Sequence, residues 1–485
     1  MPNPIRARIM KWGLCPSARI CLCSMLLLYC NIAAGQIPRP PVPQFSFVQL
    51  RLAPANPAAR PASLGGAFIG IADDATAAAI NPAGLSFLTR PEVSLSHALG
   101  QQARDYPVAS SNRGIGTHRD HNPIFDQTLV NIAYPYRGFT FALYRQLAIH
   151  ADFDFTRRQF LTFAPDRSLT LHEQLGAAGN FAGVISDFST QVIHNALVVA
   201  KTLQRRLRLG FAVAATQFRL RLHESHYFDP NLWLQEKFNV APTPIGENRA
   251  ESLYRIYDLE LNQFKFSWNA GILVELDPAL TLGVVYQHLP TFRAHNRVTL
   301  PAYRLPDRTP NDGHDDEIEF SPQELLLPFK IKLPDKFGCG LAWKPTTKIL
   351  MALDAVLHRN HSLLRALNMN LPQDDRLNDN GDYVDPDGNA DVEAKNLISF
   401  HGGFEYSMIT GKMILPIRCG FYSEPHFGLQ AVATDMNLKK EYSDETLQLH
   451  FTSGIGIVLK NVRFEGSLDV SSMLIEAIGS AVVRF

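Results

Sequence analysis

From about residue 90 to the C-terminus, apolar and polar residues alternate with period two, which restricts the chain to β-structure. Over Phe264–Leu276 one face carries Phe264, Phe266, Trp268, Ala270, Ile272, Val274 and Leu276. The other carries Lys265, Ser267, Asn269, Gly271 and Glu275. Over Phe139–Phe155 the apolar set, Phe139, Phe141, Leu143, Leu147, Ile149, Ala151, Phe153 and Phe155, opposes Thr140, Tyr144, Gln146, His150, Asp152 and Asp154. Leu447–Leu459 and Val462–Val470 repeat the pattern. A helix requires apolar residues at i, i+3 and i+4, which these stretches lack.

About fourteen strands are expected, near 91–99, 126–136, 138–156, 190–202, 206–222, 253–276, 280–297, 329–344, 348–359, 396–409, 413–424, 447–460, 462–471 and 476–485. From the second strand on, alternate connections are very short: Arg137, Leu203–Arg205, Asp277–Ala279, Pro345–Thr347, Thr410–Lys412 and Asn461. The connections between them, the last excepted, run to roughly 20–40 residues. All tight turns then fall at one end of an up-and-down sheet and all long loops at the other. That asymmetry and an even strand number define an outer-membrane barrel, and a soluble sandwich has no reason to segregate its loops. The fold class is therefore all-β: a transmembrane antiparallel β-barrel of residues 89–485, located in a bacterial outer membrane. The terminal Phe485 fits presentation to the barrel assembly machinery, and outer-membrane lipid and lipopolysaccharide are the expected surroundings.

Composition permits this class and closes others. Lys+Arg 46 balance Asp+Glu 46, so there is no basic footprint for nucleic acid. Hydrophobic residues make up 46%, too many for a disordered chain. No apolar run is long enough for a transmembrane helix. A barrel looks average in composition because its strands alternate.

Residues 1–35 have the order of a signal peptide: Arg6, Arg8, Lys11 and Arg19, then apolar Ile20–Ile32, then small Ala33, Ala34 and Gly35. A lipoprotein signal ending at Cys30 is disfavoured by bulky Tyr29. After removal only Cys339 and Cys419 remain, which excludes a disulfide scaffold and a multi-cysteine metal site. Both cysteines share parity with apolar neighbours and are expected as free thiols facing lipid, two strands apart. Residues 36–44 hold four prolines and form an extended arm, either a spacer or a docking element.

Ser63–Leu85, SLGGAFIGIADDATAAAINPAGL, is a small-residue segment. Asp73 and Asp74 are placed to cap a short helix over Ala75–Ile80, Asn81-Pro82 to stop it, and Gly84 to allow a reversal. The set Gly65, Gly66, Asp73, Asp74, Asn81, Pro82, Ala83 and Gly84 resembles the N-terminal region of the FadL/TodX family, as do the hairpins 197–214, 271–287 and 333–354. The resemblance runs from about Ser63 to Phe485. It implies a fourteen-stranded barrel, an N-terminal hatch over about residues 45–88 that plugs the lumen, and a hydrophobic small-molecule ligand. The implied function is passive, hatch-gated diffusion of long-chain fatty acids or aromatic hydrocarbons. The alternative is a non-channel barrel partnering secretion or surface-attachment machinery, since the hatch motif also occurs in such barrels. The chain departs from the transporters in its proline arm and its polar, acidic loops.

Chemistry beyond transport finds little support. The 375–393 loop is acidic, but its spacing does not fit an EF-hand, so it reads as a solvated loop and no metal site is assigned. His401-Gly402-Gly403-Phe404 is similar to a lipase oxyanion loop, yet no G-x-S-x-G elbow exists, and the glycines read as a barrel bend. No enzyme activity and no cofactor are expected. Charges on the lumen parity are Asp152, Asp154, Lys265, Glu275, Asp354, Glu405, Arg463, Glu465 and Asp469. They either pair with one another and with the hatch, or line a route.

Overall fold

The computed structural model describes residues 54–109, 115–157, 183–204, 206–227, 253–300, 303–306, 317–320, 323–360, 392–393, 395–425, 430–431 and 447–485. The expected signal peptide, the proline arm and most of the 375–393 loop lie outside the described residues.

The strands are β1 (Glu92–Ala109), β2 (Ile115–Tyr136), β3 (Phe139–Arg157), β4 (Gly183–Gln204), β5 (Leu207–Tyr227), β6 (Leu253–Asp277), β7 (Leu280–His288), β8 (Thr291–Leu300), β9 (Tyr303–Pro306), β10 (Glu317–Phe320), β11 (Gln323–Lys332), β12 (Lys336–Trp343), β13 (Ile349–His358), β14 (Val392–Glu393), β15 (Leu397–Thr410), β16 (Met413–Pro425), β17 (Gln430–Ala431), β18 (Leu447–Val458), β19 (Val462–Val470) and β20 (Leu474–Arg484). All pairings are antiparallel. The ring runs β1–β7, β12, β13, β15, β16, β18, β19, β20 and closes β20 onto β1, with Glu92 opposite Arg484. This is the closed fourteen-stranded barrel, and closure pairs the first strand with the last, so neither is left as an open edge.

Alternation sorts the side chains. Phe141, Leu143, Phe211, Phe266, Leu353, Phe421, Phe451 and Phe464 stand exposed on the outer face, Phe266 at 79%. Cys339 is half-buried and Cys419 exposed, both as free thiols on that parity, with β13 and β15 between their strands. Arg137 (φ 48°) and Gly138 (φ 78°) make the tight turn between β2 and β3.

The wall departs from the sequence reading in three places. β1 and β2 continue pairing outward to Ala109 and Ile115, so the expected long first loop is mostly hairpin. The expected strands 280–297 and 329–344 are each interrupted, at Leu289-Pro290 and at Leu333–Asp335. Their outer halves, β8 and β11, pair with each other, and β8 also joins β6 through Ile256–Leu259. Proline supplies no ladder donor at either break.

The third departure corrects a site assignment. A bulge between Leu147 and Ile149 inserts Ala148 into β3 and reverses side-chain parity beyond it. Ile149 and Ala151 become buried and Asp152 is exposed on the outer parity, opposite Ser189. Asp152 therefore does not line the lumen. Asp154 follows the same parity, and its side chain lies outside the described residues. One extra residue moves every later side chain to the other face.

Candidate functional site: the lumen and the segment packed into it

Residues 54–88 pack against inward-facing side chains of the wall. The segment forms α1 (Ala59–Ser63), a double-glycine turn, α2 (Ala77–Ile80) and a 3-10 turn over Pro82–Phe87. Gly65 and Gly66 take φ of +64° and +77°, backbone that only glycine adopts without strain. The helix after Asp74 starts later than expected. Asp74 instead accepts from the Thr76 amide at 2.9 Å and from its hydroxyl at 2.5 Å. Asn81 ends α2 and caps the next turn, accepting from the Ala83 amide at 3.2 Å. Gly84 makes no left-handed reversal. A Cβ there would sit 1.8 Å from the Ala72 carbonyl oxygen, so its role is close packing.

Charge holds one flank of the segment. Asp74, fully buried, meets Arg60 at 2.8 Å and Arg463 of β19 at 2.6 Å. Arg60 also meets Asp73 at 2.5 Å and Glu405 at 3.5 Å. Arg418 joins Glu405 at 2.6 Å to Glu465 at 2.8 Å. Burial pushes both segment aspartates up, but the neighbouring cations outweigh it: Arg60 and Lys344 hold Asp73 at about 2, and Arg463 and Arg60 hold Asp74 well below the usual carboxylate range. Burial likewise works against the Arg60 charge, yet the surrounding carboxylates raise its pKa above normal.

Shape holds the other flank. A Cβ on Gly210 of β5 would lie 2.2 Å from the Ala83 nitrogen, and one on Gly271 of β6 would lie 2.0 Å from the Asn81 side-chain oxygen. The Asn81-Pro82-Ala83 turn thus sits directly on wall backbone, and the Asn81 amide donates to the Ile69 carbonyl at 2.9 Å. Gly403 works similarly, since a Cβ there would be 2.6 Å from the Leu64 carbonyl. Gly403 of β15 is therefore a seat for the segment on the charged flank, in unbroken ladder, while Gly402 makes room for the outward Phe421 ring.

Of the lumen charges read from sequence, the structure brings Glu405, Arg463 and Glu465 into one network. Asp354 accepts from the Phe68 and Ile69 amides at 2.7 and 2.8 Å. Glu275 pairs with Arg208 at 2.6 Å, and that guanidinium stacks 3.8 Å over Phe87. Asp469 accepts from Tyr422 at 2.7 Å and lies 2.9 Å from the His450 Nδ1.

Two features beyond the segment were not read from sequence. The inward face of β5, β6 and β8 is apolar: Phe218, Leu220, Leu222, Leu259, Leu261 and Phe292 are all buried, with the Phe218 and Phe292 rings 5.0 Å apart. Lys336 of β12 shares the inward parity of Gly338 and Gly340, opposite Gln287 and His358. It interacts electrostatically with His194, His358 and His401 and makes no ion pair among the described residues. The expected strand 329–344 already contains Lys336, and parity with Gly338 and Gly340 is the signal that finds it. The wall itself is open between β2 and β3, whose pairing stops at Leu129–Gln146. There the Ala148 carbonyl, freed by the bulge, accepts from the Ala55 amide at 2.9 Å.

A sequence profile of the outer membrane protein transport protein family (OMPP1/FadL/TodX) matches residues 58–385. Solved barrels resemble the chain along nearly their whole length. The Ralstonia pickettii toluene transporter TbuX is 15% identical, covers 90% of this chain and 99% of its own, and superposes with a TM-score of 0.51. A Pseudomonas aeruginosa FadL homologue is 11% identical with the same coverage and a TM-score of 0.52. The P. putida toluene transporter TodX is 12% identical, covers 90% and 99%, and gives 0.52. At these identities the structures speak for the fold. A search of curated protein sequences finds no significant match.

Proposed function

Because the chain belongs to the OMPP1/FadL/TodX family of outer-membrane transport proteins, we propose that it carries hydrophobic small molecules across the outer membrane by passive diffusion gated by residues 54–88. The carrying observation is the apolar inward wall of β5, β6 and β8, since a water-filled porin lumen is polar. A ligand leaving water for that wall gains about 25 cal/mol per Å² of apolar surface buried, without any energy source. The segment acts as a hatch: its small residues and paired charges occupy the lumen, and its seat must loosen for passage. The opening between β2 and β3, adjoining Ala55, supports a sideways exit toward the membrane.

Lys336 favours ligands with a carboxylate head, hence long-chain fatty acids over plain aromatic hydrocarbons. An ammonium on the lumen parity that makes no ion pair among the described residues binds an anionic group as a point charge. Uptake of radiolabelled oleate and toluene by a deletion strain tests both levels. Expression of the protein restores uptake, and normal uptake by the deletion strain refutes the transport reading. Lys336→Gln should slow oleate uptake about tenfold, equivalent to about 1.4 kcal/mol, and leave toluene unchanged. Equal effects on both would remove the fatty-acid preference alone.

A further inference from the structure

Charges on the outer surface of β5, β6, β8 and β11 are paired at one level and not at the level below it. Farther from the short turns, His223 meets Asp258 at 2.5 Å, Arg297 meets Glu324 at 3.1 Å, and Arg221 stands opposite Glu260 with Asp187 at 4.0 Å. Below these, Arg219, Arg293 and Lys330 make no ion pair among the described residues. Arg219 and Arg293 are exposed and Lys330 is half-buried. Arg293 and Lys330 are direct partners across β8 and β11. Like charges directly opposite on adjacent strands destabilise a sheet unless an anion lies between them. Arg219 faces Asn262 across β5 and β6, and Gln263 donates to the Arg293 carbonyl at 2.6 Å, which brings the three cations into one row.

The height of this row identifies the anion. Arg219, Arg293 and Lys330 stand 13 or 14 residues from the short turns at Arg206, Ala279 and Lys344. At about 3.3 Å per residue and a tilt near 40°, that is roughly 35 Å along the barrel axis. The outward apolar band of a barrel is about 25 Å tall and has its short turns on the periplasmic side. The row therefore lies just above the outer edge of the hydrocarbon, next to exposed Phe264 (61%) and Phe266. Cations directly over an aromatic-rich apolar band match a lipid with phosphates at its head and acyl chains below.

We infer that Arg219, Arg293 and Lys330 form a binding site on the barrel exterior for the phosphorylated head of lipopolysaccharide. The two guanidinium groups offer forked donors to phosphate oxygens and Lys330 adds a compact charge. Phe264 and Phe266 pack on the acyl chains. The site depends on the barrel and its orientation, not on what the lumen carries.

Native mass spectrometry of the full-length mature protein after detergent exchange tests the site, with added lipopolysaccharide, phosphatidylglycerol or inorganic phosphate as probe. The wild type should keep lipopolysaccharide bound. The triple variant Arg219→Gln, Arg293→Gln, Lys330→Gln should keep about tenfold less. Lys348→Gln with Lys412→Gln, at the short-turn end, should match wild type. Heat-modifiable migration on gels reports folding. Should the triple variant not fold, Lys330→Gln alone should still lower retention about threefold. Equal retention by wild type and variants overturns the inference. So does equal retention of phosphatidylglycerol, or loss of lipopolysaccharide to inorganic phosphate, since either would mean a general anion patch.

Discussion

The two flanks of the N-terminal segment are both seated on wall glycines but differ in how much charge is buried with them. Toward β15–β19 and the turn after β12 it is bound by charge, through Arg60, Asp73 and Asp74 against Glu405, Arg463 and Lys344, as well as by the Gly403 seat. Toward β5 and β6 it is bound by shape, with Asn81-Pro82-Ala83 resting on Gly210 and Gly271. The same division continues along the lumen. Over the charged side stand His401, Tyr422 and His450, with ring centroids 5.5 and 4.2 Å apart. Over the shape-fitted side stand Phe218, Leu220 and Phe292. An ion-paired seat responds to pH and to loss of one partner, whereas a seat on bare backbone responds only to added volume. The side meant to carry apolar ligand thus holds fewer buried charges, Lys265 over Phe292 and the Arg208–Glu275 pair among them.

The largest break in this comparison should come from Asp74→Ala. It leaves Arg60 and Arg463 buried together without their shared carboxylate, a loss of about 3–5 kcal/mol. Hydrogen exchange should accelerate over Ala59–Ser63 and Ala75–Ile80, and less over Pro82–Phe87. Gly210→Val should act on the opposite flank. Overpacking against Ala83 costs about 1–3 kcal/mol and should raise exchange over Pro82–Phe87 while sparing the charged side.

Acid should distinguish the flanks without mutation. Asp73 titrates at about 2 in the folded protein, below the unfolded value near 3.9. Its contribution is therefore complete above about pH 4 and is lost as pH falls toward 2. Exchange measured across that window should rise first near Asp73, with Asn81–Ala83 following only on global loss. The smallest effect belongs to Lys344→Gln. That lysine reaches Asp73 at 3.2 Å but its side chain is 47% exposed, so a change of about 0–1 kcal/mol is expected.

Architecture was largely legible because it depends on period-two patterning and on where short connections fall. Boundaries of β3, β6, β13, β15, β16 and β18 to β20 follow the alternation to within about two residues, whereas β4 starts seven residues and β5 ends five residues beyond it, and β14 and β17 are not among the expected strands. Asp152 was misplaced because a single inserted residue, Ala148, leaves no mark in composition and reverses everything after it. The seat was only half legible. Asn81-Pro82 announces a stop, but nothing local to Gly210 or Gly271 tells that another segment lies on them. The apolar wall was illegible for a different reason. Phe218 and Phe292 have the same residue type as lipid-facing positions, and only parity within the closed ring separates them. Lys336 lies inside the expected strand 329–344, but the break at Leu333–Asp335 that sets its register has no signal in the alternation.

Conductance across a planar bilayer tests most directly whether residues 54–88 close the lumen. The account predicts that a protein lacking residues 45–88 still assembles as a heat-modifiable barrel, since among the described residues no strand pairs with that segment, and conducts ions well above the intact protein. An assembled barrel with unchanged conductance would contradict it and would place the barrier elsewhere in the lumen.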